Sequence, residues 1–178
     1  GTGFSTVDFI PWNQMGLYLL TILMIFGGDL DSTSGGLKQY RLFALWKLLW
    51  MEIKMYFLPK NALLKEEIWK GETKRYLNHS LVKEILLVFS LYFITYAVGV
   101  GITASYGYSL AFSAFEFASA LSTVGLSVGI TLPSSPVGLI WTETIGMFLG
   151  RLEFLVVIYA ITKLLRDGKV MLAKRRND

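Results

Sequence analysis

Ser122-Thr123-Val124-Gly125-Leu126-Ser127-Val128-Gly129 is the stretch that decides how this chain reads, because it follows a short amphipathic helical pattern and lies between two hydrophobic spans. Glycine admits backbone dihedrals closed to other residues and lets a ligand approach the main chain closely. Consecutive exposed carbonyls can then replace the hydration shell of a monovalent cation. Non-helical backbone at membrane depth is tolerated only where it is buried in protein or lines a water-filled cavity. The string therefore reads as an ion-selectivity filter.

Composition agrees with a membrane setting. Of 178 residues, 53% are hydrophobic and 17% charged, and the mean hydropathy is +0.51, which is too apolar for an ordinary soluble domain. Cysteine is absent, which excludes disulfides, thiolate zinc sites and thiol catalysis. His79 is the single histidine, so a histidine metal centre or catalytic triad has no ligand set. The net charge of +4 falls beside hydrophobic spans, as the positive-inside rule describes, and does not point to nucleic acid. The chain opens on Gly1-Thr2-Gly3-Phe4-Ser5 in mid-motif, without the basic and apolar runs of a signal peptide, as a fragment would.

The spans and charges set a topology. Ile85 to Ala104 is almost wholly apolar over about 20 residues, the length a helix needs to cross the hydrocarbon core. Val137 to Leu165 reads as a second span carrying Glu143, Arg151 and Glu153, and intramembrane charges need polar partners. The basic segment 59–83 and the basic tail are expected on the cytoplasmic side, and the uncharged segments 105–109 and 131–135 outside. The chain must then dip back between its spans, so residues 109–130 are re-entrant. Leu17 to Phe26 is only half a span, and Gly27 to Gly36 interrupts it before Leu42 to Leu58 resumes. A broken transmembrane helix fits that pattern, against the plainer reading of two helices joined by a surface loop.

An internal repeat ties the halves together. At an offset of 122 positions, Gly3 falls on Gly125, Ser5 on Ser127, Pro11 on Pro133, Gly16 on Gly138, Leu17 on Leu139 and Gly28 on Gly150. Glycines and a proline report backbone geometry, so the match indicates two copies of one structural unit. The expected fold is an all-α membrane protein of repeated outer helix, pore helix, filter and inner helix. Its segments are a partial repeat with a broken inner helix (1–58), a cytoplasmic connection (59–82), a complete repeat (83–166) and a basic tail (167–178). The C-terminal end of the pore helix, Ser109 to Ser122, carries partial negative charge and favours a cation in the filter. The same alignment sets Arg151 on Asp29, so both belong at similar depth below the filter.

Three motifs, in chain order Gly27-Gly28-x-x-x-Ser32-Thr33-x-Gly35-Gly36-x-Lys38, Thr123-Val124-Gly125-Leu126-Ser127 and Gly150-Arg151-Leu152-Glu153, resemble the C-terminal part of the Trk/Ktr/HKT superfamily of potassium transporters. The resemblance covers essentially the whole chain. It implies a pore of four pseudo-repeats, of which this chain carries the end of the third and all of the fourth. Implied filter positions are Thr123, Val124, Gly125 and Leu126 with Gly1, Thr2, Gly3 and Phe4. Their carbonyls would select K+, Na+ remaining open, with no other cofactor. Implied constriction residues are Gly27, Gly28, Asp29, Asp31, Gly35, Gly36 and Lys38 of an intramembrane loop, together with Arg151. Lys38 would either anchor the loop or face the path. Asp29 and Asp31 make this loop more acidic than the small-residue pattern of many relatives, and that departure suggests the pairing of Arg151 with Asp29 or Asp31. The implied setting is the plasma membrane, crossed several times. The implied partners are the remaining repeats of the same protein, a second copy in a homodimer, the lipid bilayer and a cytoplasmic nucleotide-binding ring of the RCK type.

Other readings carry less. Gly125-Leu126-Ser127-Val128-Gly129 fits the G-x-S-x-G elbow of hydrolases, but that motif needs a preceding strand and a triad histidine. Gly35-Gly36-Leu37-Lys38 lacks the spacing and the following hydroxyl of a phosphate loop. Glu116 and Glu143 read as buried carboxylates satisfied by their neighbours, Glu143 by polar groups of other repeats. The competing functional class is a non-conducting assembly or anchoring subunit that reuses pore-like repeats.

Overall fold

The computed structural model of the chain describes residues 2–29, 32, 34–58, 67–70, 73–76, 79–152 and 154–177. Among these the helices are α1 (Gln14–Ile25), α2 (Gln39–Tyr56), α3 (His79–Ser105), α4 (Leu110–Leu121), α5 (Val137–Leu152) and α6 (Phe154–Asn177). A short antiparallel hairpin, β1 (Glu67–Lys70) with β2 (Thr73–Tyr76), sets Glu67 opposite Tyr76 within the polar connection. The molecule is thus predominantly helical, and the hairpin amends the all-helical expectation. Ile68, Trp69, Thr73 and Tyr76 supply the β-branched and aromatic residues that strands prefer.

Local chemistry fixes the helix starts. Asn13 caps α1, its side-chain oxygen accepting the Gly16 N–H at 2.7 Å. Ser109 occupies the same role for α4, where a short polar side chain satisfies an otherwise orphaned N–H. Residues Ser80–Ser105 of α3 form a 26-residue stretch whose most apolar 18-residue window has a mean hydropathy of 2.2. At 1.5 Å per residue that is roughly 39 Å, more than a hydrocarbon core requires. Among the described residues it is the one helix that meets the length and hydropathy of a span by itself.

The expected second span, Val137 to Leu165, is helical but not continuous: α5 and α6 meet at a bend of 98°. Packing accounts for the turn. Gly150 lies against the end of α4, where a Cβ would fall 1.7 Å from the Leu121 carbonyl oxygen. Phe154 is buried with its ring 6.3 Å from that of Tyr92 on α3. A straight continuation would forfeit that contact, because it is the bend that carries the start of α6 back onto α3.

Helix α4 lies at the centre, packed by α1, α3 and α5. Phe117 is wedged between α3 and α5: a Cβ on Gly99 would sit 2.0 Å from its ring and one on Gly146 3.0 Å. Burying a ring this completely is worth about 3–5 kcal/mol against alanine. The two sequence-related units share one core. Leu17 and Leu139, equivalent in the repeat, are both buried in the cluster that also holds Phe9, Phe115, Val128 and Ile130.

Candidate functional site

The chain leaves α4 by a route no ordinary helix end takes. Thr123 has φ +53, the only positive φ outside glycine among the described residues, and Gly125 follows at φ +91. A β-branched residue in that region is strained unless its surroundings over-determine it. Here they do. The Thr123 N–H donates to Ala120 O at 3.0 Å and the Val124 N–H to Ser119 O at 2.9 Å. The Thr123 hydroxyl oxygen also accepts the Gly35 N–H at 2.9 Å. Val124 and Leu126 pack their side chains onto the shared core, so the string is held by its side chains and by helix-end hydrogen bonds.

The second glycine string lies directly beside the first. Gly3 has φ +68, and a Cβ there would fall 1.8 Å from the Val124 carbonyl oxygen. From the other side, a Cβ on Gly125 would meet the Gly3 Cα at 3.9 Å. Only glycine permits so close an approach. The two residues that the repeat equates are therefore neighbours in space.

The interruption after α1 is a closed loop. Gly27 N–H donates to Leu37 O at 2.8 Å, Leu37 N–H to Ile25 O at 3.0 Å and Gln39 N–H to Gly28 O at 3.1 Å. These bonds tie the end of α1 to the start of α2. Inside the loop the Gly28 N–H donates to the Ser34 hydroxyl at 2.7 Å. Lys38 is buried, and its Nζ donates to the carbonyls of Ser32 and Ser34, the latter at 3.2 Å. A buried ammonium needs such partners. Lys38 thus ties Ser32 and Ser34 to the start of α2 through its side chain. Gly27, Gly35 and Leu37 are also buried, unlike residues of a plain surface loop.

Beneath the two strings lies a cavity of about 500 Å³, bounded by Thr2, Thr123 and Val124 on one side and by Gly27, Gly28 and Gly35 on the other. Arg151 is its one charged lining residue among those described. The structure therefore gathers Thr2, Thr123, Val124, Gly27, Gly28, Gly35 and Arg151 around one space, whereas Gly125 and Leu126 line a different cavity. It does not bring in Phe4, which is 92% exposed. Asp29 is exposed at the loop, and Gly36 takes φ +83 in its return limb. Gly1, Asp31 and the neighbouring Glu153 lie outside the described residues.

Behind the glycine string that follows α4 is a polar network that the sequence left undetermined. Glu116 of α4 accepts from the Ser127 hydroxyl at 2.6 Å, the Val128 N–H at 2.9 Å and the Thr131 N–H at 3.3 Å. As expected, it is a buried carboxylate satisfied by its neighbours. Glu143 of α5 is also buried, but its partner is Thr131 of the same unit at 2.7 Å. Tyr92 on α3 shares a 2.8 Å hydrogen bond with Ser122 at the end of α4. The spacing of these residues gave no signal of their meeting, since each contact depends on how the helices dock.

Comparison with known proteins follows the same lines. Residues 1–175 match the TrkH family, described as a cation transport protein. An uncharacterised cation transporter of Methanocaldococcus jannaschii is 32% identical over 157 residues, covering 88% of this chain and 32% of the relative. The Trk system potassium uptake protein TrkI of Halomonas elongata is 27% identical over 171 residues, covering 90% and 33%. The crystal structure of the potassium transporter TrkH from Vibrio parahaemolyticus superposes with a TM-score of 0.73 at 24% identity, over 89% of this chain and 33% of that one. The chain spans about a third of the length of the curated relatives it matches.

Proposed function

The chain belongs to the TrkH cation transport family, a family of transporters and not of enzymes, and from that membership we propose that it forms two adjacent walls of a potassium-uptake pore. The observation that carries this reading is the contact of Gly3 with Val124 and Gly125. Two glycine strings related by an internal repeat and lying side by side supply carbonyls to a common path, as a dehydrating filter requires. Thr2, Gly3, Thr123, Val124, Gly125 and Leu126 are the filter residues of this chain. Na+ is the competing ion.

The loop from Gly27 to Lys38 is the obstruction beneath the filter. Its support is the hydrogen bond from Gly35 to Thr123, which docks the loop on the filter itself. Arg151 adds a positive charge to the same cavity, where it opposes cation passage. On this reading residues 1–58 are the end of one pore repeat, 83–166 a complete one, and the basic connection and tail face the cytoplasm. The remaining repeats complete the ring, a second copy forms the dimer, and a cytoplasmic RCK-type ring regulates it.

Gly125→Ser in the full-length protein tests the proposal in cells deprived of other K+ uptake. Radioactive rubidium influx and its competition by Na+ should show discrimination between the ions reduced or lost. Influx and competition identical to wild type would favour a non-conducting anchoring subunit.

A further inference from the structure

The network behind the filter holds more acceptors than protons. The Thr131 Oγ1 lies 2.7 Å from Glu116 Oε1 and 2.7 Å from each oxygen of the Glu143 carboxyl group. A hydroxyl owns one hydrogen and can donate it to only one of two carboxylates. The other carboxyl group must then donate to a Thr131 lone pair, which requires it to carry a proton. Glu116 already receives the Ser127 O–H, the Val128 N–H and the Thr131 N–H, so it is the ionised acceptor. Glu143, with Thr131 as its hydrogen-bond partner, is the donor.

Among the described residues of this chain, the elements packed around the pair offer no other neutralising charge. On α4 Glu116 is the sole charged residue, and α1 has none, its only titratable side chain being the exposed Tyr18. From α3 the Tyr92 and Tyr96 hydroxyls are engaged by Ser122 and the Ala114 carbonyl, while Lys83 and Glu84 lie in its opening turns. On α5 Arg151 stands eight residues past Glu143, about 12 Å along the helix, and lines the other cavity. Asp8 of the N-terminal segment is exposed. Two carboxylates 4% and 3% exposed cannot both ionise around one hydroxyl without a cation between them.

We propose that Glu143, Thr131 and Glu116 form a proton-binding site that braces the filter from behind, with one proton held on Glu143 and relayed through the Thr131 hydroxyl to Glu116. The proton binds without any other bond being made or broken: Glu143 O–H donates to Thr131 Oγ1, and Thr131 O–H donates to Glu116. The site abuts a cavity of about 370 Å³ that Gly125, Leu126 and Ser127 also line. Through Ser127 and Val128, Glu116 positions the main chain that follows the filter. Loss of the proton sets two negative charges against this support and loosens it, so conduction is linked to pH. The regulatory consequence rests on the pore reading above, whereas the proton itself does not.

Two measurements on the purified full-length protein separate these levels. Infrared difference spectroscopy should show the C=O stretch of a protonated carboxylic acid at neutral pH that disappears on alkalinisation and is missing in Glu143→Gln. Thr131→Val, which removes the relay and keeps the shape, should shift that band and move its midpoint. In vesicles, wild-type rubidium flux should fall by up to about tenfold per pH unit above the midpoint of the pair, and Glu143→Gln should lose this dependence. A protonated-acid band unchanged by Glu143→Gln overturns the site. A band that behaves as expected beside a flux indifferent to pH overturns the link to conduction. Absence of wild-type flux at every pH overturns the pore reading and leaves the band to decide the proton site.

Discussion

The two related units of this chain differ most where their sequences match at glycine. In the first, α1 stops at Ile25 and the main chain passes through Gly27 and Gly28 into a closed loop. In the second, α5 continues as helix through Gly150 and Arg151. Gly28 and Gly150 are equivalent in the repeat, yet they are used in opposite ways. A Cβ at Gly150 would strike the Leu121 carbonyl at 1.7 Å, whereas one at Gly28 would meet the serine side chains of Ser32 and Ser34 at 2.4–2.6 Å. One glycine lets a helix lie on rigid backbone; the other sits among side chains that can turn away. The same element thus yields a scaffold in one unit and, on the proposed reading, an obstruction in the other.

That contrast is open to attack by substitution. Gly150→Ala should be the most damaging change, costing about 3 kcal/mol through overpacking against backbone that cannot yield. Gly28→Ala should cost about 1 kcal/mol, the worth of one displaced serine hydrogen bond. Thermal unfolding of the purified full-length protein, followed by tryptophan fluorescence, measures both. Equal shifts would erase the distinction between scaffold and loop.

Second in size to Gly150→Ala is Lys38→Met, which removes a charged donor from the carbonyls of Ser32 and Ser34. The loop should lose about 2 kcal/mol of anchoring, and rubidium influx should rise as the obstruction loosens. Unchanged or lower influx in a folded protein would remove the loop from the path. Thr123→Val takes away the acceptor of the Gly35 N–H and should release about 1 kcal/mol of docking, again raising influx by a smaller factor. The mildest outcome is expected from the double exchange of Asp29→Arg with Arg151→Asp: each single change alters flux and the pair restores it. A double variant no better than either single one would separate the two residues.

Much of this arrangement was legible because glycine and proline mark backbone geometry in any context. The glycine string after α4, the break after Phe26 and the equivalence of Gly3 with Gly125 were all visible from those residues. The bend after α5 was not, since Val137 to Leu165 is apolar enough to read as one span, and the turn follows from where Phe154 finds its contact with Tyr92. The carbonyl partners of Lys38 were equally invisible in its spacing. The Gly35 to Thr123 bond joins residues 88 positions apart. Likewise Thr131 meets Glu116 and Glu143 only because α4 and α5 dock side by side. Such meetings are products of tertiary packing, and local spacing carries no trace of them.

The central claim is that the strings at Gly3 and Gly125 face one ion path. Crystals of the full-length protein soaked in rubidium test it most directly, by anomalous scattering. The account predicts a rubidium peak coordinated by main-chain carbonyls of both strings, weakened by Gly125→Ser. Rubidium bound elsewhere, with the space beside Gly3 and Gly125 empty, would contradict it.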